Sequence, residues 1–287
     1  MGKTAKQIAI ITDSTCDLPA DWIEQYAITV IPLTVIFGEE QYLDGIQISA
    51  LEFYERLLID PVHPTTSQPA PEVFQEAYKT AITAGAEEIV VMVISSAMSG
   101  TCDAALQAAQ QIDIPVHVHD SRNNSMGLGW QVMAAARSRE QGGNTEAMLA
   151  AAQKVRERMA YYISLDTIEY LAKGGRIGSA IKLVESVLKV KPLIYVRPDT
   201  GTVAPGIPAR SRRAALDGLY REFFKHIDTS GRMHITVLHN NAEQEALALE
   251  AKVRQNFQPE EIFVSIVTPI LGAHTGPRAV ALCGYSN

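Results

Sequence analysis

Cysteine is scarce in this chain of 287 residues: there are three, Cys16, Cys102 and Cys283, far apart and with no Cys-x-x-Cys pair. That spacing excludes a disulfide framework and a thiolate zinc site, and it fits reduced thiols in a cytoplasmic protein. Long hydrophobic runs are also missing. No apolar stretch approaches the roughly 18–20 residues needed to cross a bilayer. The opening Met-Gly-Lys-Thr-Ala-Lys-Gln leads straight into a strand rather than into the apolar core of a signal peptide, and Lys6 spoils a myristoylation signal. Excess positive charge is absent too. The net charge of −7 disfavours general nucleic-acid binding. There is no internal repeat and no low-complexity segment.

What is present is a globular composition, 47% hydrophobic and 20% charged, long enough for one large or two ordinary domains. Charge is unevenly spread. Residues 1–160 hold 10 Lys and Arg against 20 Asp and Glu, whereas residues 161–287 hold 15 against 12. An acidic first half and a mildly basic second half predict two domains, with the boundary after residue 160.

The first half reads as alternating strands and helices. Ile89-Val-Val-Met-Val-Ile94 is an unbroken apolar run, the pattern of a strand inside a parallel sheet. It ends at Ser95-Ser96, passes through Ser99-Gly100-Thr101, and enters a helix over 103–111. Free N–H groups at such a turn favour an anion. Two more strands, over 7–12 and 114–119, end in Asp13-Ser14-Thr15 and Asp120-Ser121. A parallel sheet gathers such ends into one crevice, where ligands of open α/β sheets bind. An extended segment is expected over 29–37, and helices over 49–58, 72–84 and 130–141. Between the first two helices, residues 60–71 carry four prolines, which excludes helix and central strand and leaves an ordered loop or linker.

The second half reads differently. A strand over 162–165 and a short helix over 167–173, closed by Gly174-Gly175, precede a helix expected over 179–188. Strands at 191–196 and 202–207 around Asp199-Thr200-Gly201 form a hairpin. Helices over 212–226 and 242–256, strands over 233–239 and 261–267, a loop at 269–278 and a closing strand complete it.

Six motifs in this order resemble the DegV family of bacterial fatty-acid-binding proteins. They are Ile-Thr-Asp-Ser-Thr-Cys-Asp-Leu-Pro (11–19), Thr-Thr-Ser-Gln-Pro (65–69), Ile-Ser-Ser-Ala-Met-Ser-Gly-Thr (94–101), Asp-Ser-Arg-Asn-Asn-Ser-Met-Gly-Leu-Gly (120–129), Glu-Tyr-Leu-Ala-Lys-Gly-Gly-Arg-Ile-Gly (169–178) and the Gly-Ala-His-Thr-Gly-Pro segment. The resemblance implies two unlike α/β domains, an N-terminal Rossmann-like parallel sheet with flanking helices and a C-terminal mixed sheet with helices. It implies a single long-chain fatty acid with its tail in an apolar tunnel and its carboxylate at the domain junction. A separate ATP-dependent fatty acid kinase would then form the acyl phosphate for phospholipid metabolism. ATP and a divalent metal would belong to that partner, and this chain would be neither an enzyme by itself nor the holder of a cofactor or metal.

Carried over by position, Thr66 and Ser96 would bind the carboxylate, with Ser67, Ser99 and His274 beside them. Arg210, and less directly Arg176, would serve kinase docking and the incoming phosphoryl group, and Arg210 and His274 would assist transfer. The residue types suit those roles: hydroxyls donate to a carboxylate without adding charge, and a guanidinium forks onto phosphate. Ala70 replaces a serine usual in the family, which weakens a helix cap. Arg278 replaces a glycine, which adds bulk and charge near His274.

Other polar residues read as structural. His117 and His119 share a strand face but lack further metal ligands. His63 and His239 read as loop and strand-end residues, and Asp13 and Asp120 as braces for loop N–H groups. Lys173-Gly174-Gly175-Arg176 lacks the strand–loop–helix setting of a phosphate loop. Arg210, Arg212 and Arg213 form a cluster that reads as either a solvated face or a docking site. Two other functions stay open: a stand-alone small-molecule kinase or hydrolase in the same crevice, for which no nucleotide cradle or activated nucleophile is seen, and a lipid-sensing regulator.

Overall fold

The computed structural model describes residues 7–183 and 190–287. In chain order the first part forms β1 (Ile8–Asp13), α1 (Ala20–Gln25), β2 (Ile28–Ile31), β3 (Thr34–Phe37), β4 (Glu40–Leu43) and α2 (Ala50–Ile59). It continues with β5 (Thr65–Ser67), α3 (Pro71–Thr83), β6 (Glu88–Val93), α4 (Thr101–Ala109) and β7 (Val116–Asp120). A parallel sheet in the order β2-β1-β6-β7 stands at the centre. Five of the six β6 residues are buried, as an unbroken apolar run requires when helices cover both faces.

Two features depart from expectation here. The extended segment over 29–37 is two strands in two sheets, broken at Pro32-Leu33. Proline has no N–H to give to a ladder, so the chain changes sheet there. The Pro-rich stretch also contains a strand. The three residues of β5 pair antiparallel with β3, which places Thr66 opposite Val35 and makes a three-stranded sheet β4-β3-β5. As an edge strand β5 respects the exclusion of proline-flanked segments from sheet interiors.

Two helices follow, α5 (Met126–Glu140) and α6 (Thr145–Glu157). The first begins four residues before the expected Trp130, and ten of its fifteen residues are buried, because it lies between two sheets. The second was not anticipated. Asn144 caps it by accepting from Ala147 N–H, and Met148, Ala152 and Val155 form its inward stripe at helical spacing, a signal the sequence does carry.

The rest forms β8 (Ala160–Ser164), α7 (Glu169–Gly174), β9 (Leu193–Val196), β10 (Val203–Pro205), α8 (Arg212–His226), β11 (Met233–His239), α9 (Glu243–Asn256), β12 (Glu261–Ile266), α10 (Pro269–Thr275) and β13 (Val280–Ser286). The mixed sheet runs β10-β9-β8-β13-β11-β12, with β11 and β12 parallel and the other pairs antiparallel. The β9–β10 hairpin is as expected. Of the helix expected over 179–188, the stretch Gly178–Leu183 is a 3-10 turn, and positions 184–188 lie outside the described residues. The segment at 269–278 is a seven-residue helix, α10, rather than a loop. One hydrophobic core joins the parallel and mixed sheets, running from Ile10 and Met92 through Trp130 of α5 to Tyr161, Cys283 and Tyr285.

Three buried carboxyl groups stand where the β1 loop meets the three-stranded sheet and α10. Asp13 accepts from Thr15 N–H (2.9 Å) and from Ile94 N–H (2.7 Å), which ties the end of β1 to the end of β6. Burial pushes Asp17 up to about 7. Burial, reinforced by the neighbouring Asp17 and Asp13, pushes Asp44 up to about 8. A folded-state value above the unfolded 3.8 gives stability that is present in acid and is lost as pH rises through the folded value. Between about pH 4 and about pH 8, the melting temperature of the wild type is therefore expected to fall more steeply than that of Asp44→Asn. Parallel slopes in scanning calorimetry would mean that Asp44 titrates as an ordinary carboxylate.

Candidate functional site: an apolar cavity with a polar end

An elongated cavity lies on the inner face of the mixed sheet. Because side chains alternate along a strand, one face carries Tyr161 and Ile163 of β8, Ile194 and Val196 of β9, and Ala281 of β13, all on the cavity wall. Register keeps them together, with Ile163 opposite both Ile194 and Ala281. The facing wall comes from Leu33, from Ile94 after β6, from Leu171 of α7 and from Ile270 and Leu271 of α10. The space free of atoms, counting its opening to solvent, is about 1120 Å³.

The other end of the cavity is polar. Thr66 of β5 and His274 of α10 meet there, with Thr66 Oγ1 2.9 Å from His274 Nε2. The second ring nitrogen, Nδ1, is buried without a partner among the described residues. Burial, aided by the positive charge of Arg176 and by His63, pushes the imidazole down to about 4, so it is neutral near pH 7 and holds one N–H to donate. Ser99 and Ser67 stand on the same wall. The Ser99 hydroxyl lies 2.9 Å from that of Thr101, and Ser67 donates to the Gln68 carbonyl at 3.3 Å. Arg176, on the same wall and exposed, donates through Nη1 to the Gly174 carbonyl (2.8 Å) and through Nε to the Met98 carbonyl (3.3 Å). Neutral donors at one end of a greasy cavity suit a ligand with a carboxylate head and a hydrocarbon tail.

Thr66, Ser67, Ser99, His274 and Arg176 are thus gathered on one cavity wall. Ser96 is not. It is exposed and off the cavity wall, and its hydroxyl donates to Asp120 Oδ2 at 2.6 Å while its N–H reaches Oδ1 at 3.2 Å. The preceding Ser95 is buried and donates to the Gly201 carbonyl at 2.9 Å, so the turn presents Ser99 inward and Ser96 outward. Arg210 is also off the cavity wall, exposed in the segment before α8. Arg212 is held by Glu245 at 2.9 Å. Arg278 has φ +61, a conformation that suits glycine; its side chain points to Glu245, 3.8 Å away, and not into the cavity.

Asp13 and Asp120 brace loop N–H groups, the latter taking that of Arg122 at 2.8 Å as well. His119 pairs with Gln131 (3.2 Å), and His239 accepts from Ala242 N–H (3.3 Å). His63 packs on Tyr170, with ring centres 5.2 Å apart. Among the described residues no cluster of three His, Cys, Asp or Glu side chains is placed to hold a metal, and no helix is long and apolar enough to cross a membrane. Asn124 and Asn240 also line the cavity and were not singled out from the sequence. Asn240 directly follows β11, so the strand-end rule applied to the second half would have found it.

The Lys173-Gly174-Gly175-Arg176 run now has a structural reason. Gly174 ends α7 against the His274 ring: a Cβ there would collide with Nδ1 and lie 3.0 Å from Cε1, and Gly175 follows in the left-handed region at φ +69. Gly174→Ala is therefore expected to displace the imidazole, moving its NMR signals and raising its pKa from about 4 towards 6.5. An unchanged His274 titration would refute the close approach.

Comparison with known proteins agrees with this architecture. The family model described as "Uncharacterised protein, DegV family" matches residues 7–287. A DegV domain-containing protein of Streptomyces coelicolor is 37% identical over 275 residues, covering 95% of this chain and 96% of that one. Among solved structures, a DegV family protein from Thermus thermophilus, described for its fatty acid binding, superposes with a TM-score of 0.92 at 31% identity over 98% of this chain and 100% of its own. DegV from Bacillus subtilis, described as a fatty acid binding protein, gives 0.90 at 28% identity over 98% and 100%. With its whole described length matched in sequence and in fold, the chain belongs to the DegV family.

Proposed function

We propose that this protein binds one long-chain fatty acid, tail in the apolar cavity and carboxylate at the Thr66–His274 end, and presents it in the cytoplasm to a separate ATP-dependent kinase. The observation that carries the reading is the pairing of a neutral, half-buried imidazole with a threonine hydroxyl at the polar end of an otherwise greasy cavity. Fatty acid binding by the Thermus and Bacillus relatives supports it. Thr66, Ser99 and Ser67 are the proposed carboxylate donors, with the His274 N–H given to Thr66 Oγ1 so that the threonine keeps its own proton for the carboxylate. Arg176, exposed on the cavity wall, is the cation placed to meet a phosphoryl group brought by the partner. Arg210 is proposed as a docking residue outside the cavity.

Native mass spectrometry of the purified protein is expected to show one added mass in the fatty-acid range, identified after solvent extraction. Thr66→Ala and Ser99→Ala should each weaken fatty acid binding by about tenfold, the worth of one hydrogen bond to a charged group. Ser96→Ala should bind as the wild type does, because its hydroxyl serves Asp120. A protein that copurifies with no lipid and takes up none, or that binds ATP by itself, would defeat the reading.

A further inference from the structure

We infer that Asp17 is a positioning residue for the ligand site: its carboxylate joins the start of α10 to the start of α5 and so sets where His274 and the α10 wall stand. The inference rests on the fatty-acid reading of the cavity, although Asp17 itself touches no part of the cavity wall.

Asp17 is 5% exposed and sits at φ +51, a left-handed conformation that Asp and Asn tolerate better than other side chains. Its Oδ1 accepts the N–H of Thr268 at 2.9 Å, and its Oδ2 accepts the hydroxyl of Ser125 in a very short contact. Thr268 immediately precedes α10, and Ser125 immediately precedes α5. The helix held in this way is only seven residues long, roughly 10 Å from end to end, yet it supplies Ile270 and Leu271 to the apolar wall and His274 and Thr275 to the polar end. Besides the His274–Thr66 contact of 2.9 Å, two side chains hold its ends. Tyr54 donates to the Val267 carbonyl at 3.0 Å just before its start, and Asn240 holds Thr275 Oγ1 (2.7 Å) and the Gly276 carbonyl (2.6 Å) at its far end. Asp17 links the first of these ends to the buried helix between the sheets.

The role needs acceptor geometry rather than charge, and this separates the variants. Asn at position 17 keeps an oxygen for the Thr268 N–H and offers an amide to the Ser125 hydroxyl, which can turn to accept. Ala keeps neither. Thr268→Pro removes the N–H together with the hydroxyl, at a φ of −61 that proline demands anyway, and Thr268→Ala, which keeps the N–H, controls for the lost hydroxyl and should bind as the wild type does.

The experiment measures palmitate affinity and the His274 imidazole NMR signals of ligand-free protein, both well below the melting temperature. Asp17→Ala and Thr268→Pro are expected to weaken palmitate binding by about tenfold or more and to shift the His274 signals, whereas Asp17→Asn stays within about threefold of wild type. If Asp17→Ala fails to fold, Thr268→Pro carries the test. Wild-type affinity and spectra in Thr268→Pro, or equal impairment of the Asn and Ala variants, would overturn the inference. Because the His274 spectrum needs no ligand, a wild type that binds no palmitate would refute the binding function while leaving this test intact.

Discussion

An ionised carboxylate brought into an apolar interior is expensive unless donors already stand where its oxygens will lie. In the proposed complex the polar end of this cavity would meet that requirement by convergence. Thr66 comes from an edge strand between prolines, Ser99 from the turn after a buried parallel strand, and His274 from a seven-residue helix of the second half. No single element could supply all three directions. At about 1.5–3 kcal/mol for each hydrogen bond to a charged group, several donors are needed together, and the junction of the sheets is where the chain can assemble them.

The same junction explains why the histidine is neutral. A protonated imidazole would be the stronger donor, but burial opposes it, and Arg176 and His63 on the same side oppose it further. The fold therefore places its permanent cation, Arg176, on the exposed part of the wall and keeps the interior contacts uncharged. That cation is itself tied to the Gly174 and Met98 carbonyls, so it stays at the rim beside the neutral imidazole.

Much of this was legible in the sequence, for identifiable reasons. The strand over 89–94 declares itself by an unbroken apolar run, and the helix expected over 212–226 has those bounds in the structure. The strand ends did converge, as parallel pairing demands. Which hydroxyl of Ser95, Ser96 and Ser99 would face the cavity was not legible, because the rotation of that turn is set by Asp120 and Gly201, residues remote in the chain. The strand at 65–67 hid between prolines. The helix at 269–275 hid between Pro269 and Gly276 and is held by Asp17, Tyr54 and Asn240 more than by its own propensity.

The division of labour between the ends of the cavity follows from magnitudes. Each buried methylene contributes about 0.8 kcal/mol, so a long acyl tail outweighs the few hydrogen bonds at its head, and those bonds decide orientation more than affinity. Length and shape discrimination must then come from the walls. One wall is the face of a six-stranded sheet, whose register fixes Ile163 between Ile194 and Ala281 and leaves little room for adjustment. The other wall rests on α7 and α10, helices of six and seven residues, the second tied at its ends by Asp17, Tyr54 and Asn240. Substitutions on the sheet face should therefore act locally through volume, whereas those at the anchors of α10 act on head and tail at once, because one short helix carries both.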